Sequence, residues 1–394
     1  MKTETNDLPT AGRKMRLGFV GGGQGGLIGE IHANGARLSR RWDITAGALS
    51  SDAQRARASG RAWMLAEERS YTDYREMARA ESARSDGIDA VAIVTPNDLH
   101  APVALAFMDA GINVLSDKPL ALNLAEATAL VARQQETGVV FGVAHAYTCH
   151  AMVRQARAMV ARGMLGEIRQ IHVEYFQEWA TRLSGEGADV PWRLDARRGG
   201  AVFTTGDIGT HAENLASFVS GLRLEALRAE FHITGQPKAL EDTAFMQLRF
   251  AGGVPGTLMV SQCFPGAHCG LRLRVVGTKA SLDWQQETPE YLHFLPFEGP
   301  AQRLSRGAGA GMLPQAERYV RMPRGHPEGL SDAWANLYLE FAIAVEARAR
   351  GMRLPEGLLA YPDIHAGFRG MQFCAAALRS HQLGQWVDIG AEAA

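Results

Sequence analysis

Apolar runs and helix-spaced apolar residues alternate along the first part of the chain. The runs cover residues 15–20, 44–49, 90–95, 112–115 and 139–144, and the helical stretches include 31–38, about 100–110, and 124–136. Continuous apolar runs of this length are typical of parallel strands that are covered on both faces. Residues 15–146 are therefore predicted to form an α/β domain around a doubly wound parallel sheet.

The pattern changes after residue 146. A helix (152–161) and a strand (170–176) are followed by strand-like segments at 227–234, 243–250, 256–262, 271–276 and 280–284, and then by helices at 332–348 and 363–380. Successive strands without helices between them predict a large, mostly antiparallel open sheet. We expect a flexible tail over residues 1–14 and an α+β domain over 147–394. Residues 302–321, rich in Gly, Ala and Arg, are predicted to be a long excursion of the chain over the surface. Residues 325–329 are predicted to form either a pocket loop or the start of a helix.

Composition narrows the class of protein. A chain of 394 residues with 46% hydrophobic and 21% charged residues suits an ordinary globular protein of two domains. The net charge is −1, so no basic excess points to nucleic acid or a membrane surface. No apolar run approaches the roughly 20 residues that span a bilayer, and the polar start lacks the apolar core of a signal peptide. Four scattered cysteines are expected to be reduced thiols in a cytoplasmic protein.

A glycine-rich turn follows the first predicted strand. Gly21, Gly23 and Gly26 fit G-x-G-x-x-G, and the turn leads into a predicted helix. Glycines allow the backbone to approach a pyrophosphate at the N-terminus of that helix. Glycine turns are common, but this one has the strand and helix that the Rossmann dinucleotide motif requires.

The end of the second strand bears on the choice of cofactor. An acid here would bind the ribose 2′-hydroxyl of NAD, whereas small polar residues with a nearby arginine suit the 2′-phosphate of NADP. Ser50 occupies the position of that acid, with Ser51 beside it and Arg55 one turn later. This leans towards NADP without excluding NAD, because Asp52 is close. A helix N-cap by Ser50 or Ser51 is the alternative interpretation.

Asp207 and His211 are the candidates for proton transfer. They are four residues apart, so in a helix they share one face. A histidine can take a hydroxyl proton near neutral pH, and a carboxylate one turn away can orient the ring or bind a neighbouring hydroxyl. A helix-terminal acid and a core histidine would give the same pattern.

Several of these motifs together resemble the Gfo/Idh/MocA family, the glucose-fructose oxidoreductase and inositol dehydrogenase group. The resemblance is carried by Gly21-x-Gly23-x-x-Gly26, by Thr95-Pro96-Asn97 with His100, by Asp117-Lys118-Pro119, and by the run from Asp207 to His211. It implies that the cofactor is bound by the glycine turn, by Thr95-Pro96-Asn97 with His100, and by Asp117 and Lys118. It also implies that Lys118 lies beside the nicotinamide and the reacting hydroxyl. A cis Lys118-Pro119 bond is also implied. Asp117 replaces the usual glutamate, and the stretch between Gly26 and His32 is expected to hold extra loop residues.

Other polar and aromatic residues are candidates to line a substrate pocket. They are His145, Tyr147, Trp192 and Arg193, with Trp179 as a further aromatic side chain. Indole rings bind sugar faces well, but a tryptophan is as often part of a core or an interface. His145 and His150 are five apart without a carboxylate partner nearby, so no metal site is predicted.

The resemblance implies an NAD(P)-dependent dehydrogenase that acts on a secondary hydroxyl of a sugar, glycoside or cyclitol, and a homodimer or homotetramer. Lys118 would donate to the reacting oxygen, His211 would be the acid or base, and Asp207 would orient it. One alternative is a redox-neutral epimerase, lyase or glycosidase that uses tightly bound cofactor through a transient keto-sugar. Another is a non-enzymatic, nucleotide-sensing binding protein.

Overall fold

The computed structural model describes residues 13–186, 190–307 and 309–390. The predicted tail, residues 1–14, lies outside this part of the chain except for Arg13 and Lys14, which pair with Asp89 and Asp43. The strands are β1 Met15–Gly21, β2 Trp42–Ala48, β3 Ala90–Val94, β4 Asn113–Ser116, β5 Phe141–Val143, β6 Ile168–Phe176, β7 Leu224–His232, β8 Thr243–Phe250, β9 Val254–Ser261, β10 Gly270–Gly277, β11 Ala280–Gln285, β12 Tyr291–Pro296, β13 Gln302–Ser305 and β14 Val387–Asp388. The helices are α1 Leu27–Leu38, α2 Ala53–Ala62, α3 Tyr74–Ala83, α4 His100–Asp109, α5 Leu124–Thr137, α6 Ala151–Ala161, α7 Ala196–Gly199, α8 Thr210–Ser220, α9 Pro314–Glu317, α10 Leu330–Ala349 and α11 Ile364–Leu383.

The first five strands form a parallel sheet in the order β2-β1-β3-β4-β5. Every residue of β3 is buried, as the continuous apolar run predicts. The chain leaves β1 towards β2 and returns on the other side to β3. The switch point lies therefore between the carboxyl ends of β1 and β3, where open α/β sheets bind ligands. The predicted doubly wound sheet is confirmed.

The remaining strands form a nine-stranded sheet in the order β13-β12-β11-β10-β6-β9-β8-β7-β14. Its described strands pair antiparallel except for β6 and β9, which run parallel. Burial alternates along β8, so one face of the sheet is apolar. That face packs against α6, α8 and α11 through residues such as Val153, Leu215 and Phe373. The predicted antiparallel α+β architecture is confirmed.

The chain separates into two compact units. The first holds the five-stranded sheet and comprises residues up to 121, Ala125–Ala146 and Leu330–Gly367; the second holds the nine-stranded sheet and comprises Leu122–Leu124, Tyr147–Gly329 and the chain from Phe368. Residues 330–367, expected in the second domain, thus join the first unit. The expectation differs because periodicity marks a helix but does not say which sheet it covers.

Aromatic packing attaches α10 to the first unit. Trp42 stacks on Phe341 with ring centroids 5.6 Å apart, and its Nε1 donates to the carbonyl oxygen of Tyr338 at 2.9 Å. The Tyr338 hydroxyl shares a hydrogen bond of 2.9 Å with Nδ1 of His32, which is fully buried. Burial lowers the pKa of His32 to about 4 despite the nearby Asp117 charge, so the ring is neutral at physiological pH.

Two expectations about elements are wrong, and three strands were not predicted. Helix α1 begins at Leu27, so the residues between Gly26 and His32 are its first turns and not extra loop. Residues 302–321 are not only a surface excursion, because 302–305 form β13 and the side chains of Met312, Ala316 and Tyr319 are buried. The strands β12, β13 and β14 were missed, because a half-exposed strand such as β12, or a very short one such as β13 or β14, carries little apolar periodicity. The four cysteines, all in the described part, are free as expected.

Candidate functional site

The glycine turn after β1 packs against the end of β3 and the start of α1. Gly21 and Gly22 have φ of +82° and +72°, which L side chains rarely adopt. A Cβ on Gly21 would lie 2.8 Å from the carbonyl oxygen of Val94, and one on Gly22 would lie 2.7 Å from the Cα of Gly29. Positions 21 and 22 of the turn are therefore closed to any larger residue.

Gly23 and Gly29 complete this packing. A Cβ on Gly23 would lie 2.6 Å from the carbonyl oxygen of Leu49 and 2.7 Å from Oγ of Ser59. That Ser59 hydroxyl accepts a hydrogen bond of 3.0 Å from the Gln24 amide. Gly29, in the first turn of α1, was missed by the sequence argument although it repeats the three-residue spacing of Gly23 and Gly26. It allows the helix to approach the turn, which brings the helix N-terminus to the loop.

Two hydroxyls stand at the same edge of the sheet. Thr95 follows β3, and Ser116 is the last residue of β4. Thr95 Oγ1 and Ser116 Oγ are buried and have no hydrogen-bond partner among the described residues. A tight glycine turn at a helix N-terminus, with unpaired polar atoms beside it, fits a bound dinucleotide.

His100 joins the loops that follow β3 and β4. It is buried, with Nδ1 2.7 Å from the carbonyl oxygen of Pro119 and Nε2 3.0 Å from that of Thr95. The Lys118-Pro119 peptide bond is cis, as the family resemblance implied. Asp117 donates its amide to the carbonyl oxygen of Ile93 at 2.8 Å, and its carboxylate accepts from the Lys118 amide at 2.8 Å. These contacts fix the backbone that carries the half-buried Lys118, while Pro96 and Asn97 form the short turn before α4.

The end of β2 corrects one detail of the sequence analysis. The N-cap of α2 is Asp52, whose Oδ1 accepts from the Arg55 amide at 2.7 Å, rather than Ser50 or Ser51. Ser50 Oγ accepts from the Asp52 amide at 3.2 Å, and Ser51 is exposed. Asp52 therefore has a structural task at the helix N-terminus, while the Arg55 side chain is exposed.

In the second unit, Asp207 and His211 lie on one continuous helical segment. A π-helical turn, Thr205–Gly209, leads directly into α8. Such turns occur frequently at functional sites. Gln262 Nε2 donates to Asp207 Oδ2 at 2.6 Å, and the His211 ring lies 4.8 Å from that of Tyr147 at an interplanar angle of 75°. Both side chains are half-buried.

Glu241 holds the start of this segment. Its carboxylate accepts from the backbone amides of Phe203, at 3.1 Å, and Thr205, at 2.9 Å. Burial raises the pKa of Glu241 to about 7, and the hydrogen bonds from these amides oppose the rise. Neither Glu241 nor Gln262 was singled out from the sequence, because each meets the helix through tertiary contacts.

The predicted pocket residues fall into separate groups. In the second unit, the Arg193 guanidinium lies over the rings of Trp192, at 4.4 Å, and Trp179, at 5.9 Å. The Tyr147 hydroxyl bonds to the Tyr175 hydroxyl at 2.6 Å, and burial raises the pKa of Tyr147 well above its usual value. His145 is buried in the first unit, just after β5.

Over residues 13–186, 190–307 and 309–390, no group of three or more His, Cys, Asp or Glu side chains is placed to hold a metal ion. Over the same ranges, no helix combines the length and apolar character needed to cross a membrane.

Comparison with known proteins agrees with this architecture. Residues 15–145 match the oxidoreductase family with an NAD-binding Rossmann fold, and residues 153–283 match the GFO/IDH/MocA C-terminal domain. The chain belongs to the Gfo/Idh/MocA family. It is accordingly an oxidoreductase with an NAD-binding domain, and its predicted character as an enzyme is confirmed.

Several relatives match nearly the whole chain, and three of them illustrate the similarity. The uncharacterised oxidoreductase YfiI of Bacillus subtilis is 33% identical over 387 residues, 96% of this chain and 97% of that protein. The crystal structure of an oxidoreductase from Sinorhizobium meliloti has a TM-score of 0.86 and 41% identity, covering 95% of this chain and all of that one. An inositol dehydrogenase homolog from Azotobacter vinelandii, complexed with NADH and myo-inositol, has a TM-score of 0.87 and 35% identity, covering 96% and 98%.

Proposed function

We propose that this protein is an NAD(P)-dependent dehydrogenase that oxidises a secondary hydroxyl of a sugar, glycoside or cyclitol. The observation that carries the proposal is the pair Asp207 and His211 on one helical segment, with the carboxylate anchored by Gln262. A carboxylate and an imidazole one turn apart suit proton transfer from a hydroxyl. The Azotobacter relative, whose complex contains NADH and myo-inositol, supports a polyol substrate.

The proposed catalytic residues have different tasks. Lys118 donates a hydrogen bond to the reacting oxygen and stabilises negative charge as it develops there. His211 takes the hydroxyl proton during oxidation and returns it in the reverse direction. Asp207 orients His211 or binds a neighbouring hydroxyl. The nicotinamide, when bound, accepts or returns the hydride.

The cofactor is assigned to the carboxyl edge of the five-stranded sheet. Gly21, Gly23 and Gly26 line the turn that would approach the pyrophosphate, and the loops at Thr95–His100 and Asp117–Lys118 complete the site. Ser50, Ser51 and Arg55 surround the position expected for the ribose 2′ group, and the absence of an acid at Ser50 leans towards NADP. The Asp52 carboxylate already accepts a hydrogen bond from the Arg55 amide as the N-cap of α2, which supports NADP over NAD.

The proposed substrate contacts form two groups of residues. Trp192 and Arg193 pack against one another beside Trp179, which is 44% exposed, and together offer an aromatic surface and a cation to a sugar ring. His145 and Tyr147 complete the proposed substrate contacts. We further expect a cytoplasmic homodimer or homotetramer, with the unit built on the nine-stranded sheet supplying the contact between subunits.

A substrate panel tests the reaction. Monosaccharides, glycosides and inositols are each incubated with the purified protein and with NAD+ or NADP+, and nicotinamide reduction is followed at its absorbance maximum. We expect reduction with at least one polyol, and at least as great an efficiency with NADP+ as with NAD+. Tight cofactor binding without reduction of any panel member would contradict the proposal. Turnover of a sugar without added cofactor, by protein that carries its nicotinamide, would identify the redox-neutral alternative instead.

A further inference from the structure

Both ends of the Gln262 side-chain amide are hydrogen-bonded to neighbouring residues. Gln262 follows β9 and has no exposed surface. Its Nε2 donates to Asp207 Oδ2 at 2.6 Å and to Gln177 Oε1 at 3.2 Å, while its Oε1 accepts from the Thr204 hydroxyl at 2.9 Å. An amide nitrogen with two acceptors and an amide oxygen with one donor allow one orientation, since a flipped amide would place its oxygen against the Asp207 carboxylate.

The hydrogen bonds continue from Gln177 to a second contact with the proposed acid/base pair. Gln177 Oε1 also accepts from Trp179 Nε1 at 3.0 Å, and its Nε2 donates to the Tyr175 hydroxyl at 3.2 Å. The Tyr175 hydroxyl bonds to that of Tyr147, whose ring packs on His211. One network within the second unit thus begins at the Asp207 carboxylate and ends at a ring against His211.

We propose that Gln262 is a positioning residue for the reaction, holding the Asp207 carboxylate in the orientation that serves His211 or a substrate hydroxyl. The inference rests on the proposed dehydrogenase function. Three features support it: Gln262 is buried, its bond to Asp207 is short and charge-assisted, and its amide is held by Thr204 and Gln177 from the other side. A carboxylate held in this way loses little conformational freedom when substrate binds.

Two substitutions at Gln262 separate positioning from general stability. Gln262→Met keeps the length of the side chain and removes the donor, so Asp207 loses its anchor at every pH. Gln262→Glu places a carboxyl against Asp207: when protonated it can still donate one hydrogen bond, and when ionised it repels the carboxylate. The first variant therefore loses activity uniformly with pH, and the second loses more as pH rises.

The experiment measures kcat, KM for the best polyol of the panel, and the Kd for the cofactor from pH 5 to 9 in the wild type and both variants. For Gln262→Met we expect kcat/KM to fall roughly 10- to 100-fold, with the cofactor Kd within about twofold of wild type because the cofactor site lies in the other unit. For Gln262→Glu we expect the loss relative to wild type to grow by roughly tenfold across this range. Gln247→Met is the matched control, an exposed glutamine on β8 of the same sheet, and retains wild-type kinetics.

Wild-type kcat/KM in Gln262→Met, or identical pH profiles for the Met and Glu variants, would overturn the inference. If the substitutions at Gln262 prevent folding, Thr204→Val decides, because it removes only the hydroxyl that orients the amide. An unchanged kcat/KM in that variant would also overturn the inference. If the proposed function itself is wrong, the result is different: the wild type then reduces nicotinamide with none of the polyols in the panel.

Discussion

Lys118 and His211 are the side chains whose removal tests the proposed chemistry most directly. The backbone around Lys118 is held by Asp117 and by the contact of His100 with Pro119, so a change at the Lys118 side chain leaves its loop supported. His211 sits on α8 with its ring against Tyr147. Truncation of Lys118 therefore leaves its loop supported, whereas truncation of His211 also removes the ring contact with Tyr147.

At this scale we expect Lys118→Ala and His211→Ala each to reduce kcat by roughly two or more orders of magnitude. Lys118→Ala removes the donor to the developing oxyanion, and His211→Ala removes the group that takes the proton. Cofactor binding, measured by fluorescence titration, should remain nearly intact in both.

The controls change the same residue types away from the site. Lys14→Ala loses only an exposed ion pair with Asp43, and His293→Ala changes an exposed residue of β12. Both controls should keep wild-type kcat. Near-normal kcat in Lys118→Ala and His211→Ala would refute the assigned roles.

At the scale of the element, the start of the helical segment before α8 depends on a buried acid. Glu241 accepts two backbone amides there, and the segment carries Asp207 and His211. A carboxylate at a helix N-terminus is favourable, but burial opposes its charge. The raised pKa of Glu241 shows that burial outweighs these hydrogen bonds.

The resulting pH dependence of stability has a definite sign. The pKa of Glu241 is about 7 in the folded chain against an ordinary value of 4.5, so the folded state binds the proton more tightly. The contribution of Glu241 to the free energy of unfolding is fully present below pH 4.5 and is lost as pH rises through about 7. In Glu241→Gln this titration is absent. From pH 5 to 8, wild-type stability should therefore fall relative to the variant by on the order of 3 kcal/mol, measured by urea denaturation.

Glu298→Gln, an exposed position just after β12, is the control and should run parallel to wild type over the same range. If the Glu241→Gln curve also ran parallel to wild type, the charge state assigned to Glu241 would be wrong. A constant difference in stability between wild type and Glu241→Gln does not count in this test, because it reflects the hydrogen bonds that the glutamine makes or loses. Only the change of that difference with pH counts.

At the scale of the whole molecule, the chain returns to its first unit through α10. Contacts of α10 with α1 and β2 bury Trp42, His32 and Tyr338 together. The helices approach closely at Gly35, where a Cβ would lie 2.6 Å from Cβ of Trp334. This return makes the first unit discontinuous in sequence.

Two glycine-to-alanine substitutions in helices test that packing. Alanine is favoured over glycine inside a helix by roughly 0.5–1 kcal/mol. At Gly370 of α11 the nearest atoms, on Thr210, are 3.7 Å from the new Cβ, so Gly370→Ala should stabilise by about that amount. At Gly35 the clash with Trp334 should outweigh the gain, and Gly35→Ala should destabilise by about 1–3 kcal/mol. Thermal unfolding followed by circular dichroism measures both, and a stabilised Gly35→Ala would contradict the close α1–α10 contact.

Local patterns in the sequence predicted much of the scaffold. The strand β8 was predicted with its observed bounds, and β3, α5 and α6 to within one or two residues, because burial on one or both faces leaves its period in the sequence. The glycine turn was recognisable because its backbone excludes side chains at fixed spacing. The alternative interpretation of Ser50 or Ser51 as the N-cap of α2 was wrong, since Ser50, Ser51 and Asp52 are all good caps and the backbone decides among them.

By itself, then, the sequence determined the two architectures, the family, and the residue types at the turn, at Lys118 and at His211, since these depend on neighbours a few positions apart. Only the tertiary structure decided that Gln262 holds Asp207, 55 residues away, that Glu241 caps the segment before α8, and that α10 covers α1. Such contacts join residues that are far apart in the sequence and belong to no common periodic pattern. The free energy that selects them comes from burial and from the hydrogen bonds of buried polar groups.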